Sequence, residues 1–124
     1  MSELISYNEC GEFLDEVLKV DQNIRLTAIH DGQFKAKYQK GIEGYFDKEE
    51  IKSSLIEAQN RWDLRKKKSF KIGAPKFAMA QYGKIIRITI PLGNEGVILV
   101  TTELGVDVNK LVEEIIEIRT KFFS

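Results

Sequence analysis

The chain has 124 residues, of which 43% are hydrophobic and 31% charged, and its nineteen basic and nineteen acidic side chains cancel. That length and composition exclude a disordered chain and predict one domain over residues 1–124, with a single core. Zero net charge excludes a global field toward nucleic acid or anionic lipid, and apolar runs such as Val97 to Val100 fall far short of the roughly 20 residues that span a bilayer.

Ser6 and Glu9 have capping-box spacing, and Phe13, Leu14, Val17 and Leu18 make one apolar stripe, which predicts a first helix over about 7–20. Ile24, Leu26 and Ala28 then alternate with polar residues, as do Phe34, Ala36 and Tyr38, which predicts a hairpin around His30-Asp31-Gly32. A two-residue Asp31-Gly32 turn would set lysines on the apolar face. A three-residue loop with left-handed Gly32 instead pairs Ala28 with Phe34, Leu26 with Ala36 and Ile24 with Tyr38.

Gly41 and Gly44 mark a loop, Asp47 and Glu50 cap a second helix over about 48–66, and Ile51, Leu55, Ala58 and Trp62 form its apolar face. A loop through Gly73 and Pro75 follows. Phe77 and Met79 begin a second hairpin that turns at Tyr82-Gly83 and continues through Ile86, Ile88 and Ile90, until Pro91, lacking a donor, ends the strand. A two-residue turn pairs Met79 with Ile86 and Phe77 with Ile88, but tyrosine suits such a turn badly and a longer loop stays open.

The run from Val97 to Thr102 is apolar on both pleat faces and therefore predicts a central strand covered from both sides. Asp107 caps a last helix carrying Val108, Leu111, Val112, Ile115, Ile118 and Phe122, with Arg119 and Lys121 in its final turn. The resulting fold is α+β, in the order α-β-β-α-β-β-β-α. Its five-stranded antiparallel sheet has the order 2-1-5-4-3, with two helices on one face and the second helix alone on the other.

This element order, together with the Asp31-Gly32 turn in the first hairpin, resembles the roadblock and longin group of profilin-like domains. A second resemblance, to a family of short archaeal (thaumarchaeal) proteins, rests on Ile24-Arg25-Leu26, Trp62-Asp63-Leu64-Arg65, Ile72 to Ala80, Arg87 to Leu92 and Leu99 to Glu103. The roadblock resemblance implies a homodimer whose third strands join into one continuous sheet beside the paired second helices. Ser54, Ala58, Arg61, Phe77 and Met79 are the interface residues it implies here, and a small GTPase is the protein partner it suggests.

No catalytic, metal or cofactor set is legible. Cys10 and His30 are the single cysteine and histidine, so neither a disulfide nor a zinc site can be assembled, and a lone cysteine fits a reducing, cytoplasmic setting. The acidic N-terminus has no signal-peptide pattern, which predicts a chain neither inserted in a membrane nor exported. The glycines match no nucleotide-binding fingerprint. The glutamate pairs read as solvated helix faces, and Cys10 and His30 as structural residues.

Arg61, Trp62, Arg65, Lys66, Lys67, Lys68 and Lys71, with Phe70 among them, form a basic and aromatic cluster of the kind that contacts anionic polymers, although neutral total charge favours a capped helix end with Trp62 turned inward. The expected function is a non-enzymatic, homodimeric scaffold or regulatory module that binds a protein. The alternatives are a PAS-like small-molecule sensor and a nucleic-acid binder acting through the 61–71 cluster.

Overall fold

The computed structural model describes residues 7–93 and 96–123, so Ser6 and the capping box expected there lie outside the described residues. In chain order it contains α1 (Tyr7–Leu18), β1 (Ile24–His30), β2 (Phe34–Tyr38), α2 (Lys48–Lys66), α3 (Ser69–Ile72), β3 (Ala78–Gln81), β4 (Ile86–Leu92), β5 (Gly96–Thr102) and α4 (Val108–Phe122). The strands form one antiparallel sheet in the order β2-β1-β5-β4-β3.

The run that is apolar on both pleat faces is the central strand, and every residue of β5 is buried. Its alternate side chains feed two separate cores. Ile98 and Val100 join Phe13, Leu14 and Val17 of α1 and Leu111, Val112 and Ile115 of α4. Val97 and Leu99 join Ile51, Leu55, Ala58 and Trp62 of α2 on the other face. The layering follows from the sequence, because a strand without a wet side must be clothed twice.

The ends of the helices account for their boundaries. Asp47 accepts from the Glu50 N–H at 2.9 Å while the Glu50 carboxylate accepts from the Asp47 N–H at 3.1 Å, a complete capping box for α2. Asp107 caps α4 through the Lys110 N–H at 3.2 Å. Phe122 and Phe123 close that helix edge-on against Phe13, with centroids 5.6 and 5.3 Å away.

Several expectations need correction. The first hairpin is shifted by two residues, with Ala28 opposite Ala36; the second takes the longer loop that the sequence leaves open, which sets Met79 opposite Ile88 and not Ile86. The loops are Asp31–Gln33, where Gly32 takes a φ of +96°, and the four residues 82–85, closed by a 2.8 Å bond from the Tyr82 N–H to the Ile85 carbonyl. A shift of two preserves every side chain's face, which is why alternation alone cannot detect it. His30 is accordingly the last residue of β1 and not a turn residue.

Ile24, Leu26 and Ala28 do not share a face. The β1–β5 register slips between Ile24 and Leu26, so Ile24 packs with α1 and α4 whereas Leu26 and Ala28 pack under α2. Pro91 lies within β4, opposite Val97, and does not end it. Its carbonyl turns away from β5 to accept Arg119 Nη1 at 2.9 Å, and the same side would carry its missing N–H, beyond the end of β3. Finally, the loop after α2 contains the single helical turn α3.

Candidate functional site

On the α2 face the registers align side chains in rows across the sheet. Tyr38, Leu26, Thr101, Arg87 and Ala80 form one row, and Ala36, Ala28, Leu99, Thr89 and Ala78 form the next. The small residues of the second row let α2 approach closely. Trp62 is 1% exposed and its indole N–H donates to Thr89 Oγ1 at 3.1 Å, which fixes the C-terminal half of the helix.

The two edges of the sheet differ. β2 carries Lys35 and Lys37 toward α1, where Lys37 pairs with Asp15 at 2.8 Å. β3 is Ala-Met-Ala-Gln, uncharged, with Ala78 partly buried and the other three exposed, and no strand covers its outer side among the described residues. Alanines 78 and 80 face the side of α2, so the sheet beside that helix has a shallow, uncovered floor. Ile56 and Leu64 on α2 and Met79 on β3 are exposed. Bare β edges of this kind template pairing with another strand.

The residues singled out from the sequence are divided by this geometry. Ser54 and Arg61 share a flank of α2 with Arg87 beneath: Arg87 Nη2 donates to Ser54 Oγ at 2.6 Å, and the Arg61 charge is close enough to act on it. Burial, then the Arg61 charge, lowers the proton affinity of Arg87, against smaller opposing effects of Tyr82 and Glu57. Ala58 is buried against its own sheet and offers no outer surface. Phe77 precedes β3 and packs half-buried against the α1 and α4 core, and Met79 shares its face by alternation.

The basic cluster is dispersed. Trp62 is internal, with the Arg65 guanidinium 5.0 Å over its ring, and Lys66 Nζ donates to the Gly93 carbonyl at 3.1 Å. Arg61, Lys67, Lys68 and Lys71 are exposed, and beside them Phe70 and Ile72 of α3 are 82% and 80% exposed. With Trp62 internal, Phe70 is the cluster's remaining aromatic surface for stacking.

A feature not singled out from the sequence is a cavity of about 850 Å³ beneath the N-terminal half of α2. Its floor is the Tyr38 to Arg87 row. The loop before α2 walls one side, where the Tyr38 hydroxyl donates to the Phe46 carbonyl at 3.0 Å. A β-carbon at Gly44 would overlap that phenol oxygen, so the close approach requires glycine. Tyr45 reaches across, with Arg25 Cζ 4.8 Å and Lys84 Nζ 5.5 Å from its ring centroid. Arg87, the single charged residue of β4, is the one signal of this cavity in the sequence. The bulge that brings Arg25 into its lining is not legible there.

Cys10 is fully buried in the α1 core, and no three His, Cys, Asp or Glu side chains among the described residues gather to hold a metal ion. Among them, too, no helix is long and apolar enough to cross a membrane.

No family model and no curated protein matches the sequence. Solved structures do match. The Streptomyces avermitilis roadblock/LC7 domain superposes with a TM-score of 0.68 at 10% identity, covering 89% of this chain and 91% of that one. The chain has the roadblock/LC7 fold. Myxococcus xanthus MglB shares this roadblock-like fold with a TM-score of 0.71 at 15% identity, covering 95% and 94% of the two chains. An MglB with tetrameric arrangement gives 0.60 at 12%, covering 98% and 96%. The likeness spans nearly the whole chain, and at these identities it concerns the fold.

Proposed function

We propose that this protein is a non-enzymatic scaffold that homodimerises by joining β3 to β3 of a second copy, with the α2 helices side by side over the doubled sheet. The observation that carries this reading is the contrast between the edges: β2 is guarded by lysines beside α1, whereas β3 is uncharged and open. The floor of Ala78 and Ala80 leaves room beside α2 for a second helix, and a twofold axis there makes one patch complementary to itself. Ser54, Arg61 and Met79 take part in this arrangement together with Ala80 and Leu64, whereas Ala58 and Phe77 serve their own core.

The combined surface presents a protein partner with the exposed apolar groups of both copies, and a small GTPase is the partner class that the roadblock likeness suggests. Sedimentation velocity at micromolar concentration tests the reading. A dimer that Met79→Lys and Ala80→Glu dissociate without unfolding is expected; a wild-type chain that stays monomeric throughout would refute it.

A further inference from the structure

We propose that the cavity beneath the N-terminal half of α2 is a binding site for a small aromatic carboxylate. Its volume of about 850 Å³ falls in the range of small-molecule sites, typically about 300–1,000 Å³. Leu26, Leu99 and Ile51 supply an apolar interior. Tyr45, Phe46 and Tyr82, three of the four exposed large aromatic side chains among the described residues, all line this one cavity. Aromatic walls around an apolar interior accept a flat ring by stacking.

The charges give the ligand its sign. Arg25 already has a counter-anion: it is bonded to Glu103 at 3.0 Å and to the Glu43 carbonyl at 3.2 Å and lies over the Tyr45 ring. Arg87 differs: its hydrogen bonds go to the Ser54 hydroxyl and carbonyl, at 2.6 and 3.4 Å, and among the described residues no carboxylate lies within ion-pairing distance. A half-buried guanidinium with no carboxylate in contact, Glu57 acting on it only from farther off, favours a carboxylate, which accepts two of its N–H groups. Of the acids around the rim, Asp47 and Glu50 are engaged in the α2 capping box, and Glu49 and Glu57 are exposed to solvent. Tyr45, held between Arg25 and Lys84, ties the loop before α2 to the β3–β4 turn and shields the bound ring.

This claim shares Ser54 with the proposed dimer surface and is tested by a separate readout. The ¹⁵N-labelled chain is titrated with 3-phenylpropionate and, in parallel, with its uncharged amide. Saturable shifts confined to residues 44–46, 54, 82–87 and 99–101 are expected, with the carboxylate bound about tenfold or more tightly than the amide. Arg87→Met should abolish that preference while keeping the spectrum dispersed, and Arg87→Lys should retain part of it. Shifts scattered over the surface, no saturation, an amide that binds equally well, or a Lys variant no better than Met would each overturn the proposal. Sedimentation of the same samples reads the oligomeric state, so a failure of dimerisation and a failure of ligand binding are distinguishable.

Discussion

The bond between Trp62 and Thr89 offers a direct measure of how α2 is fixed to the sheet. Both side chains are buried, at 1% and 4% exposure, and the indole N–H donates to the threonine hydroxyl at 3.1 Å. Thr89→Val keeps the shape and strands the indole N–H, which costs about 1–3 kcal/mol for a buried donor without a partner. With a urea slope of about 2 kcal/mol per molar, that loss lowers the unfolding midpoint by roughly 0.5–1.5 M. Trp62→Phe costs more, because it also empties the volume of the lost ring. In the Trp62→Phe background no donor remains to be stranded, so adding Thr89→Val should cost about 0.5 kcal/mol or less. Trp62 is the chain's single tryptophan, so unfolding of all four proteins is followed by far-UV circular dichroism. An equal cost of Thr89→Val in both backgrounds would refute the argument.

Two further outcomes follow from the loop before α2. Gly44→Ala forces its β-carbon into the Tyr38 phenol and should destabilise by about 1–3 kcal/mol; urea unfolding in a Tyr38→Ala background should show that penalty largely removed. Tyr38 ionises at higher pH than a free tyrosine, chiefly through desolvation, with Arg25 opposing and Asp47 reinforcing the shift. The folded state therefore holds this proton longer than the unfolded one. Its contribution is fully present below the ordinary tyrosine pKa and is lost as pH rises through the higher folded value. Denaturation from neutral to strongly alkaline pH should show a falling component that Tyr38→Phe eliminates, and an unchanged slope would count against it.

Much of the architecture was legible in the residues themselves. The double-sided apolar run from Val97 to Thr102 places β5 at the centre, and the stripes of the three long helices assign them to two faces. The start of α2 follows from Asp47 and Glu50, whose mutual bonds are local and independent of tertiary context.

Other features depend on contacts distant in sequence. The register of each hairpin was set by loop geometry, since a slip of two residues leaves the hydrophobic pattern unchanged. Pro91 remained in its strand because Arg119, far along the chain, takes its carbonyl where β3 has already ended. The bulge at Arg25 sent Ile24 and Leu26 to opposite cores. The cavity arises where four strands, the start of α2 and two loops converge, so no single segment encodes it. Local periodicity decides which side of an element is dry; only the assembled sheet decides which distant side chains meet there, because that depends on register and close packing.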